Sequence, residues 1–208
     1  MSSRISVFAL LVMMVAVACV AQVAPAAPAT SSASVGSAAA AATAFAVDNN
    51  FIQKQFGSTC KIAPGFAPQT ADLDGDGVED AVLVGHCSNP MMDQEENNFR
   101  VVDPYNGFFG YGDPKVTSQF ANEDPERRGL VLLIIHGAGA EGWRSEQPKA
   151  KFVIINLPFK QIALRKFSMK KKQVMAIYAE EDSADRMSST LFWDGKKYRY
   201  QPMGSTLD

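Results

Sequence analysis

An alternation of aspartate and glycine that runs straight into an apolar segment constrains this chain more than any other feature. Asp72, Asp74, Asp76 and Asp80 are interleaved with Gly75 and Gly77, and Ala81-Val82-Leu83-Val84 follows at once. Carboxylates crowded on so short a stretch repel one another, and a cation is the simplest compensation. A calcium ion takes about six to eight oxygens at about 2.3–2.6 Å in a flexible shell. Side chains at loop positions one, three and five converge on such an ion when the chain turns tightly. Asp72, Asp74 and Asp76 hold those positions. Gly77 falls at position six, where a sharp turn needs a residue free of Cβ constraint. The carbonyl of Val78 is then position seven, and Asp80 is position nine. The expected metal ligands are Asp72, Asp74, Asp76, Val78 through its carbonyl, and Asp80, with Ca2+ as the cofactor. The alternative is an acidic turn with no tightly held metal.

An EF-hand loop would close with a bidentate glutamate at position twelve, which here is Leu83. A strand, not a second helix, occupies that ground. The segment Thr70 to Val82 instead resembles the calcium loop of FG-GAP and VCBS-type repeats, found in integrin-like propellers and many exported bacterial proteins. The resemblance covers about 15 residues and implies calcium held by the side chains of Asp72, Asp74, Asp76 and Asp80 and the carbonyl of Val78. It occurs in a single copy, so the propeller fold does not carry over with it.

The beginning of the chain reads as an export signal. Arg4 supplies a positive start, and the apolar run from Ile5 to Ala18 is too short to span a bilayer comfortably. Cleavage after Ala18 or after Ala21 fits the small residues that follow. Ala16-Val17-Ala18-Cys19 also resembles a bacterial lipobox, which implies a lipid anchor on Cys19. Residues 1–21 are therefore expected to be a signal peptide. Residues 22–43 are rich in Ala, Pro, Ser and Thr and cannot bury enough surface to offset their ordering entropy, so they read as a flexible linker. Residues 44–204 are expected to form a single β-rich globular domain.

Export decides how the cysteines are read. Cys60 and Cys87 are then an even pair in an oxidising compartment, and a disulfide is expected. Two buried thiols are the alternative. Net charge −2 gives no electrostatic reason to expect nucleic acid. No later segment is apolar enough to span a membrane.

Ala44 to Phe56 has a helical pattern, with Phe45, Phe51, Ile52 and Phe56 near one face, Asp48 or Asn49 to cap it and Gly57 to stop it. Ala67 to Ala71 and Ala81 to His86 read as the strands entering and leaving the aspartate loop. Ser88 to Gly129 is dense in turn signals such as Asn89-Pro90 and Asp103-Pro104. Phe99 to Val102 forms at most a short strand there. Phe108, Phe109 and Tyr111 among glycines form either a binding surface or a lid folded over the core. The run Lys170 to Lys172 reads as a solvated turn. Beyond Gly129, strand-length runs recur at Leu130–Ile135, Lys151–Asn156, Gln161–Phe167 and Gln173–Ala179. Gln161–Phe167 keeps a rough helical spacing as well, but its neighbours favour a strand. Asp194-Gly195 reads as a two-residue hairpin turn that pairs Leu191 with Tyr198 and Trp193 with Lys196. Leu191, Trp193, Tyr198 and Tyr200 then share one face. The expected fold is mainly β: an antiparallel sheet, sandwich or partial barrel, with one short N-terminal helix.

No catalytic set emerges. His136-Gly137-Ala138-Gly139 after an apolar strand looks like the oxyanion loop of α/β-hydrolases, but there is no Gly-x-Ser-x-Gly elbow and no late histidine. His136 reads as a structural residue at a strand end. His86-Cys87 lacks further soft ligands for zinc, and Glu180-Glu181-Asp182 with Asp185 reads as a charged loop. The expectation is an exported calcium-binding domain with a structural or interaction role at the cell envelope. Its partner would be an unidentified protein or envelope component. An envelope enzyme, such as a hydrolase, or an aromatic-loop inhibitor is the alternative.

Overall fold

The computed structural model describes residues 45–110, 129–169, 172–181 and 187–205. The expected leader, linker and lipidation site at Cys19 lie outside these residues, as do Tyr111, Lys170, Lys171, Asp182 and Asp185. The domain is mainly β, with two sheets arranged as a sandwich, and neither closes into a barrel. The elements are α1 (Asn49–Phe56), β1 (Cys60–Ile62), β2 (Gln69–Ala71), β3 (Asp80–Cys87), α2 (Pro90–Asp93), β4 (Arg100–Val102), α3 (Pro104–Phe109), β5 (Leu130–His136), β6 (Ala150–Ile154), β7 (Gln161–Met169), β8 (Lys172–Glu180), β9 (Met187–Trp193) and β10 (Tyr198–Ser205).

The first sheet runs β1-β3-β5-β6-β4, with β2 also on β3; the second runs β10-β9-β8-β7. Every pairing is antiparallel except β4 with β6, which is parallel. That one parallel pair sits within the mainly antiparallel arrangement expected from the sequence. The paired strands lie some fifty residues apart in sequence, room enough for the crossover that a parallel pair needs.

Ala81–Val84 of β3 and Leu130–Ile135 of β5 are continuous apolar runs because both faces of the first sheet are covered. Val82, Val84, Leu132, Ile134, Phe152 and Ile154 face the second sheet and meet Ile177, Ala179, Leu191, Tyr198 and Tyr200. Ala81, Leu83, Val131, Leu133, Ile135 and Val153 point the other way, onto Ile52 and Phe56 of α1 and onto Phe99 and Trp143. Each large side chain so buried contributes roughly 1.5–3 kcal/mol.

Asp48 caps α1 by accepting from the Phe51 N–H at 2.8 Å. Gly57 ends it at φ 87°, with its N–H donating to the Gln53 carbonyl at 2.9 Å. Lys151 of β6 donates to the Gln55 carbonyl at 2.6 Å and so ties the helix to the sheet.

Among the described residues there are three α-helices rather than the one expected. The turn signals that hid α2 and α3 are also helix starts: Asn89 and Asp103 sit at the caps, and Pro90 and Pro104 open the first turns. The Asp103 carboxylate accepts from the Asn106 N–H at 2.9 Å. The final hairpin also differs from the expected register. Trp193 pairs with Tyr198 and Leu191 with Tyr200, so four residues form the loop. Asp194 lengthens the turn because its carboxylate accepts the N–H groups of both Lys196 and Lys197 at 2.9 Å. A shift of two positions leaves side-chain facing unchanged. Leu191, Tyr198 and Tyr200 therefore still line the main core, with Trp193 packed against it.

Candidate metal centre

The turn between β2 and β3 is built by its own carboxylates. Asp72 accepts from the N–H groups of Gly75 at 2.7 Å, Asp76 at 3.1 Å and Gly77 at 2.9 Å. Asp76 accepts from the Val78 N–H at 2.9 Å. Gly75 and Gly77 have φ of 81° and 86°, so the loop needs glycine for its backbone conformation. These contacts curl the chain inwards. One carboxylate oxygen from each of Asp72, Asp74 and Asp80 then lies within 4.8 Å of the others, a grouping that could hold a metal ion.

Asp80 stands at the first position of β3 and is buried. One of its oxygens accepts from the N–H groups of Leu73 at 2.7 Å and Asp74 at 3.3 Å, and the other from the Gly137 N–H at 2.7 Å. Burial, with the charge of Asp74 as a smaller contribution, pushes its carboxyl up to about 6 against the pull of those donors. Asp76 and Val78, the other expected ligands, are on the same turn. The Asp76 carboxylate points to Lys149, whose Nζ lies 2.6 Å from Asp76 Oδ2 and 2.7 Å from Asp74 Oδ2. The Lys149 side chain is about half exposed, at 49%, whereas that of Asp74 is 4% exposed. The hydrogen bonds from Lys149 are the main cause that holds Asp76 below the usual carboxylate range.

His136 ends β5 directly beneath the loop. Its Nδ1 lies 3.3 Å from Asp74 Oδ2, and its Nε2 lies 2.7 Å from the Tyr198 hydroxyl. Burial lowers its pKa more than Asp74 raises it, so the imidazole is held neutral. Phe152, Trp193 and Tyr198 surround the ring. The expected structural role of His136 gains content here: it supports the floor of the acidic loop.

The glycines after His136 serve close approach. A Cβ on Gly137 would stand 2.3 Å from the Glu79 carbonyl oxygen, and one on Gly142 would stand 2.8 Å from it. Glu79 fastens the same junction through its side chain, accepting from Trp143 Nε1 at 3.0 Å, Arg144 Nη1 at 2.8 Å and Thr70 Oγ1 at 2.9 Å. The segment that resembled an oxyanion loop is a packing joint between the turn and β5.

A cleft of about 480 Å³ opens beside Asp72 to Gly75. Lys166 of β7, Met175 of β8 and Trp193 of β9 also line it, so the second sheet supplies its other wall. The loop is thus open to solvent on that side.

Cys60 and Cys87 form a disulfide and are direct partners in the β1–β3 register. Cys87 is therefore no nucleophile. Phe108 and Phe109 of α3 are about half exposed, at 51% and 49%; Phe108 meets Tyr200 edge-on, and Phe109 meets Tyr105 edge-on and Tyr200 at a tilt. They share features of both a lid and a surface patch. Glu181 accepts from the Tyr200 hydroxyl at 3.1 Å, which gives that carboxylate a structural partner. Among the described residues, no helix is long and apolar enough to cross a membrane.

The sequence pointed to Gly137 only as part of a glycine turn after β5, not as a donor to Asp80, and it did not point to Lys149 at all. Gly137 had the signal of following a polar strand end. Lys149 had none, being one lysine in a polar stretch. No protein-family model, curated protein or solved structure matches the chain.

Proposed function

We propose that this is an exported calcium-binding β domain whose cation fixes the β2–β3 turn, with a structural or interaction role at the cell envelope. The observation that carries the reading is the convergence of Asp72, Asp74 and Asp80 within 4.8 Å on a turn open to a solvent cleft. Lys149 offsets only part of the charge of four aspartates. A hard divalent cation bound by oxygen ligands would offset more, and Ca2+ tolerates the irregular geometry of such a turn better than Mg2+. The Asp76 carboxylate and the Val78 carbonyl complete the ligand set that the FG-GAP-like spacing implies. Affinity is expected on the order of 10⁻⁴–10⁻³ M, as in extracellular modules. The Cys60–Cys87 disulfide supports export, because such bonds persist in oxidising compartments.

Titration calorimetry of chelator-treated protein with calcium tests the reading, alongside melting temperature. Binding heat and a higher melting temperature are expected at millimolar calcium. No heat and an unchanged melting temperature would sink it.

The half-exposed Phe108 and Phe109 favour an interaction role over a purely structural one. An exposed aromatic pair beside a shallow cavity of about 200 Å³, lined in part by Lys197 and Arg199, is a surface to which a partner could add apolar contacts.

A further inference from the structure

The Lys149 ammonium bridges Asp74 Oδ2 and Asp76 Oδ2 at 2.7 and 2.6 Å, and we infer that it is a built-in competitor that decides which cations the aspartate loop accepts. The inference rests on the calcium reading above and adds a specificity determinant to it.

The geometry gives Lys149 two effects. It draws the Asp76 carboxylate to itself, while the close carboxylate grouping consists of Asp72, Asp74 and Asp80. It also satisfies one oxygen of Asp74, the most enclosed acid to which it is paired. A cation that uses both Asp74 and Asp76 must displace the ammonium.

That displacement is mechanically simple. The Lys149 backbone N–H donates to the His136 carbonyl at 2.9 Å, so the base of the side chain stays fixed beside the loop. The four-carbon stem is flexible, and the side chain is already half exposed. Expelled, the ammonium regains water and remains tethered nearby. Its tether gives it a high effective concentration, on the order of millimolar or above.

The competition separates cations by charge. Sodium or potassium brings the same single charge as the ammonium and lacks the tether, so it competes poorly. A divalent ion doubles the Coulomb attraction to the same carboxylates and brings Asp76 back to the group. Lys149 therefore weakens every cation and disfavours monovalent ones most, leaving a site that responds chiefly to divalent ions.

The experiment compares wild type with Lys149→Met by calcium calorimetry and by melting temperature in sodium chloride against tetramethylammonium chloride at equal ionic strength. Lys54→Met serves as a control, because Lys54 pairs with Glu146, away from the loop. Lys149→Gln repeats the comparison if the methionine variant fails to fold without metal. The expected result is calcium affinity higher by about tenfold or more in the Lys149 variant. Sodium should also stabilise that variant over tetramethylammonium by more than it does wild type. Equal calcium affinities, with the same sodium response in both, overturn the inference while leaving the calcium reading standing. Absence of calcium heat from wild type and variant alike overturns the two together.

Discussion

The Asp80 carboxylate accepts a 2.7 Å hydrogen bond from the Gly137 N–H across 57 positions of sequence. Its other oxygen accepts from Leu73 and Asp74 on the near side of the turn. One side chain therefore locks the acidic loop, the start of β3 and the end of β5 together. In Asp80→Asn, one acceptor becomes a donor that faces a backbone N–H. Relief of the buried charge works the other way, but an amide has one oxygen for donors on two sides. The expected cost is about 1–3 kcal/mol at neutral pH in chelator, read by urea denaturation. Unchanged or increased stability would show that the buried charge dominates.

The disulfide should matter to the metal-free fold. It joins residues 27 apart, for which the chain-entropy model gives roughly 3.5 kcal/mol. Replacing both cysteines by alanine should lower the urea midpoint accordingly, with β1 frayed from β3 in hydrogen exchange. A loss below about 1 kcal/mol would mean that the unfolded chain is already constrained there.

Phe108 and Phe109 should behave as surface residues. Changing each to alanine is expected to cost about 1 kcal/mol or less, because half of each ring already meets solvent. Ile134→Ala in the sandwich core should cost about 2–5 kcal/mol. A comparable loss at both places would identify the aromatic pair as core and weaken the interaction reading.

Acid should act through the last hairpin. Burial raises the Asp194 pKa, but Arg199 and the backbone N–H groups of Lys197 and Lys196 outweigh it and hold the carboxyl at about 2. A carboxyl depressed on folding stabilises the protein fully above its unfolded pKa of about 3.9. That contribution is lost as pH falls from there through about 2. Asp194→Asn should therefore lose stability at neutral pH and show a flatter pH dependence between those limits. Parallel acid curves for variant and wild type would refute this. Asp80 has the opposite sign: its raised pKa makes stability from that group fall as pH rises from about 4 through about 6.

The locally encoded parts of the structure were legible in the sequence. Asp48 and Gly57 bound α1, and the apolar runs after Gly129 became β5 to β9, because capping, periodicity and turn chemistry act within a few residues. The aspartate turn was legible for the same reason. The parallel placement of β4 beside β6 was not, since nothing in Arg100 to Val102 specifies a neighbour some fifty residues on. The hairpin misled by two positions because Asp194 caps the turn with its side chain, and an Asp-Gly pair looks the same either way. At the site, sequence separated the acids from the groups that balance them. The densest run of lysines in the sequence starts at Lys170, yet among the described residues the ammonium paired with the loop is that of Lys149.

β3 begins at Asp80 and ends at Cys87, so the aspartate turn lies inside the ring of chain that the disulfide closes. A pull applied through the two ends of the domain passes from Cys60 to Cys87 through sulfur. The enclosed segment, about 90 Å of contour when extended, bears no tension until that bond is reduced. Tension along the backbone thus bypasses the acidic turn, which feels the rest of the domain only through its contacts with Gly137, His136 and Lys149.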